Sequence, residues 1–438
     1  MAPERFFLEL TPPTELLHDA PHVVIVGAGF AGLKAAHTLA GKAVRVTLID
    51  KRNFNLFQPL LYQVATGLVS ATDVASPLRQ MVGQASNLQI LMGEVVDLDI
   101  EQKLVVFNDR HYRYDHLILA AGATSSYFGH DDWRSLATPM KTLEDAQTIR
   151  RQVLEALELA EQTTDPEQQQ QLQSVVVIGG GPTGCELAAS INDLMRHTLE
   201  RDFKQIDPNR CKVTLVDPGD RVLRAMDPEL SKAAGAQLQR SGVELLLGGR
   251  VKSILPGQVV VTTADGERTL EAKTICWTAG VAAAPLGKLL ADRSGCSLDR
   301  GGRVVVEPDF SIPGHPEIRV VGDLCSYSHT ADGKPLPGMA GPAVQMGGWV
   351  AQDILASSQG ESHKPFLFSD FGSMAVIGPL FAVADLRGFK VSGAMGWLLW
   401  GLAHLAFMPD NENRLTLLTK WLWMIAARQR SALVIGEG

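Results

Sequence analysis

The chain has 438 residues, is 45% apolar and carries a formal charge of -8. Such a length suits two or three domains with a sizeable core, and such an apolar share excludes a disordered chain. An acidic balance with no long basic run argues against a nucleic-acid partner.

In chain order, residues 1–20 read as an extension ahead of the first strand, because charges interrupt their apolar patch and no secretory core is present. His22 to Val26 is a β-branched run that leads into Gly27, Gly29 and Gly32 and then a helical stretch. Strand, G-x-G-x-x-G, helix is the context of a dinucleotide cradle. The first glycine makes the tight turn, the second lets backbone approach a pyrophosphate, and the third lets the helix pack on the strand. The pyrophosphate then meets the free N–H groups of the helix start. The next strand, Val44 to Ile49, ends in Asp50. It lies roughly 20 residues past the last glycine, the spacing of an acid that binds a ribose hydroxyl.

Asp115–Ala123 is a strand running into a small-residue turn. Glu161–Gln173 is polar without a periodic apolar face and reads as a surface connection. A second cradle follows: the strand Val175–Ile178, then Gly179, Gly181 and Gly184, a helix from about Cys185 to Leu199, and a strand ending in Asp217. The spacing to this acid is longer, so the helix or its loop is extended. A carboxylate there accepts from a free 2′-OH and repels a 2′-phosphate, which favours NADH over NADPH, although Arg221 stands close by in sequence. Lys273–Val281 repeats the strand and small-residue turn at a matching distance, as an internal duplication would.

Two cradles have a chemical reading: one holds a flavin, the other a nicotinamide that comes and goes. Hydride transfer needs the reacting atoms within about 3–3.5 Å, which a fixed two-domain frame supplies. Ile318–Tyr327 is a buried strand ending in Gly322-Asp323. Asp323 is read either as an acid beside the flavin's ribityl chain and pyrophosphate or as a cap of the following helix. The expected domains are 21–145 with 291–360 for FAD, 146–290 for NADH, and 361–438 as a C-terminal region.

Five scattered cysteines, Cys185, Cys211, Cys276, Cys296 and Cys325, include no C-x-x-C pair. They point to a reducing compartment and against disulfide-reductase chemistry. No stretch has metal-ligand spacing. None reaches the roughly 20 apolar residues of a spanning helix. Ala394–Pro409 is apolar with Trp397, Trp400 and Phe407. On a helical wheel of Arg414–Arg430, Leu415, Leu418, Leu422 and Ile425 fall with Leu417 and Trp421, opposite Thr416, Thr419, Lys420 and Arg430. That stretch holds Arg414, Lys420, Arg428 and Arg430 and no acid, the pattern of a helix lying in a membrane interface. Packing on the protein's own core or on a dimer partner is the alternative.

With these motifs in place, the sequence resembles the type II NADH dehydrogenases, the single-subunit NADH:quinone oxidoreductases. The resemblance rests on NFNLFQPLLYQVATG (Asn53–Gly67), GGGPTGCELAA (Gly179–Ala189), PGMAGPAVQMGGWVA (Pro337–Ala351) and DFGSMAVIGPLFAVADL (Asp370–Leu386). It implies an α/β protein with two Rossmann-like dinucleotide-binding domains, like glutathione-reductase-type flavoproteins, plus the membrane-association region. By resemblance Gln58, Pro59 and Leu60 line a non-covalent FAD, with Phe30, Ala31, Lys51, Val96, Ala121 and Gly122 around it. Pro182, Thr183, Ala279 and Gly280 join the NADH site, and Glu186 lies near the nicotinamide. Gln345 and Met346 face the quinone side, where Gly341 replaces an expected glutamine and Phe371 a usual lysine. Glu186 and Gln345 are the catalytic candidates, and no metal is expected. The partners implied are a membrane quinone, the membrane surface at its cytoplasmic face, and a second copy in a homodimer. A soluble NAD(P)H-dependent flavoprotein reductase with another acceptor is the competing reading.

Overall fold

The computed structural model describes residues 19–198, 202–427 and 429–435, so most of the expected N-terminal extension lies outside the described residues. The chain divides into two compact units. One comprises Met1–Asn55, Ser76–Thr124 and Ala282–Asp370; the other comprises Leu56–Ala75, Ser125–Val281 and Phe371–Gly438. The division departs from the expected one at several boundaries: residues 125–145 group with the second cradle, and 282–290 and 361–370 with the first. Leu56–Ala75, expected with the first cradle, groups with the second, and the C-terminal segment from Phe371 belongs to that unit rather than standing apart.

The first unit is built on a six-stranded sheet in the order Ser311–Ile312, His315–Val320, His116–Leu119, His22–Val26, Arg45–Asp50, Leu88–Met92. Its five long strands are parallel, and only the short Ser311–Ile312 edge runs the other way. Strands covered on both faces read as continuous apolar runs, and Val23 to Val26 are all buried. The helix Phe30–Leu39 packs on the long helix Ala340–Ser358 through small residues. A Cβ on Gly347 would lie 2.0 Å from the Ala31 carbonyl oxygen.

The second unit repeats the plan in five parallel strands: Thr138–Pro139, Thr274–Trp277, Ser174–Ile178, Lys212–Asp217, Val243–Leu247. In both units the glycine-bearing strand sits between the strand that ends in the acid and the strand that ends in the small-residue turn. Each unit also carries a three-stranded antiparallel sheet, Val95–Asp99 to Arg110–Arg113 in the first and Arg250–Leu255 to Gly266–Glu271 in the second. A further antiparallel sheet, Ser373–Val376, Ala382–Leu386 and Phe389–Gly393, leads into the helices Ala394–Phe407 and Asn411–Ala427.

The polar stretch Glu161–Gln173 lies largely at the surface, as its composition suggests, but it is helical and not an irregular connection. It completes the helix Leu143–Gln162 and then forms the helix Pro166–Leu172. Asp165 accepts from the N–H groups of Glu167 and Gln168, Pro166 occupies the first turn, and Leu172 is buried. A capping acid and one buried leucine outweigh four successive glutamines.

Candidate functional site

The two cradles are built alike. Gly27 and Gly179 have φ of +100° and +113°, and a Cβ on either would strike backbone, Ala120 O at 2.4 Å and Ala279 Cα at 2.7 Å. A Cβ on Gly32 or Gly184 would lie 1.8 Å from the carbonyl oxygen of Gly27 or Gly179. These four glycines are required by the protein's own packing. Gly29 and Gly181 are not: a Cβ on either meets no atom of the described residues within 4 Å. Each is the N-cap of its helix and no side chain caps either helix start. A glycine that the fold does not need, beside uncapped N–H groups, fits a pyrophosphate laid against the helix end.

The acids are placed alike. Asp50 Oδ2 accepts from Ala28 N at 2.7 Å and Oδ1 from Arg52 N at 2.8 Å. Asp217 Oδ2 accepts from Gly180 N at 2.7 Å and Oδ1 from Gly219 N at 2.7 Å. Each carboxylate therefore braces its own glycine turn, whatever else it binds. The arginine beside Asp217 is Arg224, with Nε 3.8 Å from Oδ1, rather than Arg221. Asp217→Asn turns an acceptor into a donor facing one of those N–H groups. It is expected to lower the free energy of unfolding by about 1–3 kcal/mol, measured by chemical denaturation.

Other sequence-derived candidates are placed as follows. Met346 is 2% exposed and its sulfur accepts from Gly322 N at 3.3 Å, in the turn that carries Asp323. The Gln345 amide bonds the Ser369 backbone both ways: Oε1 accepts from Ser369 N at 2.9 Å and Nε2 donates to Ser369 O at 2.9 Å. Its donor and acceptor thus hold a chain segment. Gly341 has open space above it. Gln58 donates to the Lys141 carbonyl at 2.9 Å. Lys51 is exposed, and Val96 is 61% exposed on the small antiparallel sheet. Phe371 is half-exposed, with the Arg387 guanidinium 5.7 Å from its ring centroid and its ring centroid 6.4 Å from that of Phe407.

Glu186 sits on the second cradle helix (Pro182–Asp193), and its Oε1 accepts from Val376 N at 3.2 Å. It lines a cavity with Tyr62, Gln63, Leu68, Ser190, Asp193, Trp397, Trp400, Trp421, Met424 and Arg430. Removal from water pushes its carboxyl up to about 8, so it carries a proton at neutral pH. The Tyr62 phenol is raised well above its ordinary value by burial and then by the Glu186 charge. Sequence reading missed Tyr62, Gln63 and the cavity role of Arg430. The only sequence signal for the first two was their place inside the PLLYQ stretch.

The C-terminal helices also differ from their helical wheel. Leu415, Leu422 and Trp423 are 65%, 57% and 59% exposed, whereas Leu417 and Trp421 are turned inward, with Trp421 Nε1 donating to Gln63 Oε1 at 2.9 Å. Two of the basic residues are turned to internal acids and not to solvent. Lys420 pairs with Asp73, and Arg430 pairs with Asp193. The exposed face is apolar and continues on the preceding helix through Met395, Leu398 and Leu402. Among the described residues no helix is long and apolar enough to cross a membrane and no cluster could hold a metal ion. All five cysteines are free.

Residues 21–347 match the pyridine nucleotide-disulphide oxidoreductase family. The chain is 40% identical to the type II NADH:quinone oxidoreductase Ndh of Mycobacterium tuberculosis, over 95% of this chain and 90% of that one. It is 27% identical to the type II NADH:quinone oxidoreductase of Staphylococcus haemolyticus, over 86% and 92%. Among solved structures it is similar in fold to NDH2 from Plasmodium falciparum in complex with NADH. That match has a TM-score of 0.86 and 19% identity, and covers 94% of this chain and 99% of that one.

Proposed function

The chain belongs to the type II NADH:quinone oxidoreductases, within the pyridine nucleotide-disulphide oxidoreductase family, and from that premise we propose how its residues carry out NADH oxidation and quinone reduction. When bound, FAD supplies the two-electron relay, taking a hydride from NADH and giving electrons to quinone. The first cradle would hold it, with Gly29 toward the pyrophosphate and Asp50 toward the ribose; the second would hold NADH through Gly181 and Asp217. Both cradles are braced by their own acids, so neither turn has to form at the moment of binding.

The single observation that carries the acceptor half is the Glu186 cavity. It is walled by tryptophans and Met424, lies under helices whose outer face is apolar, and contains a carboxyl that is protonated at neutral pH. NADH, a quinone and one proton give NAD+ and a quinol, so one proton beyond the hydride has to be supplied. Glu186 Oε1 accepts the Val376 N–H, which leaves Oε2 to carry a proton and release it as the quinone oxygen gains charge. Trp400 and Trp421 keep that exchange away from bulk water. Steady-state oxidation of NADH against ubi-, mena- and plastoquinone analogues tests the assignment. Turnover with a ferredoxin-like protein but with no quinone would sink it.

The apolar face of the two C-terminal helices seats the protein on the cytoplasmic face of a membrane, where a lipid-soluble quinone is at hand. With Lys420 and Arg430 spent on internal partners, binding draws chiefly on buried apolar area. Sedimentation with neutral vesicles is expected to persist in high salt. Leu422→Glu with Trp423→Glu should weaken it by at least about tenfold, since each large apolar side chain contributes roughly 1.5–3 kcal/mol when removed from water. Both side chains are more than half exposed, so the fold should not suffer.

A further inference from the structure

The cavity that holds Glu186 is closed on one side by the chain's own tail. The Arg430 side chain is 3% exposed. Its Nη2 donates to Asp193 Oδ2 at 2.6 Å and to Ser190 O at 3.2 Å, and its Nη1 donates to Thr66 O at 2.8 Å and reaches Ser190 Oγ at 3.4 Å. Ser190 Oγ is itself bonded to Thr66 Oγ1 at 2.8 Å. Two residues further on, Ala432 N donates to Gly67 O at 3.1 Å. Leu433 fills the space over Gly67, where a Cβ would come within 2.5 Å of Leu433 Cδ2. One guanidinium thus joins two separate walls: the segment after Tyr62 and the late turns of the second cradle helix. Glu186, Ser190 and Asp193 are spaced by four and three residues, so they share one face of that helix.

A buried arginine is an expensive way merely to pin a tail. Desolvation lowers its pKa, its Nε has no hydrogen-bond partner among the described residues, and a well-packed apolar residue would close the gap at less cost. What an apolar residue cannot do is bond two walls at once through a planar fork.

We propose that Arg430 is a positioning residue for the acceptor cavity, tying the Pro182–Asp193 helix to the Tyr62–Val69 segment so that the cavity keeps its width and bulk water stays off Glu186. This rests on the reading of the cavity as the quinone's. The titratable and charged groups that line the cavity with Glu186 are Tyr62 from its short helix, Asp193 from its own helix and Arg430 from the tail. Cys185 adjoins it in the chain, Ser373–Val376 offers the Val376 N–H, and the C-terminal helices present Trp397, Trp400, Trp421 and Met424.

Removing Arg430 alone would leave Asp193 uncompensated, so the informative variant is Arg430→Gln with Asp193→Asn, which keeps the net charge. Two readouts are compared with the parent protein at equal FAD content. Acrylamide quenching of tryptophan fluorescence should rise about twofold or more, because Trp400 and Trp421 are otherwise 1% and 3% exposed. The KM for a short-chain quinone should rise about tenfold. Quenching equal to the parent's overturns the proposal. Should the double variant shed its flavin, Arg430→Lys replaces it. It keeps the Asp193 pair but cannot span both walls, so quenching must again rise, and an unchanged value overturns the proposal. Raised quenching with an unaltered quinone KM would instead show that the tail closes the cavity but that the cavity is not the quinone's, which sinks the functional reading and leaves the latch standing.

Discussion

Glu186→Gln is expected to lower quinone-dependent turnover about a hundredfold at neutral pH, with the reduction of bound flavin by NADH slowed far less. The amide keeps the side chain's shape and can still accept from Val376 N, but it has no proton to give. The parent protein should lose quinone turnover as pH rises through about 8, when the carboxyl ionises, and the variant should show no such limb. A stopped-flow comparison of the two half-reactions across pH decides the matter. Equal slowing of both would remove Glu186 from the acceptor step. Stability carries the same signature. A carboxyl raised to about 8 holds, in the folded chain, a proton that the unfolded chain has already released. The folded state therefore binds more protons between the ordinary carboxylate value and about 8, and stability falls as pH rises through that window. The glutamine variant escapes this loss, so its Tm should exceed the parent's above the window and match it below.

Gly29→Ala should yield a folded protein depleted of FAD, and Gly181→Ala one that keeps FAD but has a KM for NADH about ten- to a hundredfold higher. The added methyl meets no atom of the described residues in either case, and both backbones have negative φ, so the fold has no reason to object. It has room only where a pyrophosphate would lie. Gly32→Ala is the contrast: its methyl would lie 1.8 Å from Gly27 O, so loss of the fold is expected, not selective loss of a ligand. Flavin absorbance after purification, thermal melts and NADH kinetics separate the three. Full FAD occupancy in Gly29→Ala would mean that the pyrophosphate does not lie there.

The contrast among these glycines also explains how far the sequence could be read. A tight turn at Gly27 and a helix start packed against it are constraints between neighbours in the chain, so the pattern of strand, glycines, helix and acid carries them. The duplicated sheet follows from the same local signals. The C-terminal helices could be located but not oriented. Lys420 and Arg430 looked like a solvated basic face because their acids, Asp73 and Asp193, stand hundreds of residues earlier. Leu417 and Trp421 look no different from Leu415 and Leu422 until Gln63 is seen to claim the Trp421 indole. Gln345 and Met346 belong to the same class. Their place on a helix was evident, whereas their bonds to the Ser369 backbone and the Gly322 N–H come from folding alone.

The cysteines have a consequence outside catalysis. Cys185, Cys211, Cys276 and Cys325 are enclosed, and burial pushes all four thiols up, Cys211 to about 11 and Cys276 to about 12. Only the thiolate attacks an electrophile, so in the native protein these sulfurs are silent toward alkylating reagents and peroxide. Each wakes when the packing around it opens, and they report on different places: the second cradle helix, the turn before the Lys212–Asp217 strand, the Thr274–Trp277 strand, and the strand following the Asp323 turn. The molecule thus carries built-in stopwatches for local breathing, readable by mass spectrometry without any engineered label.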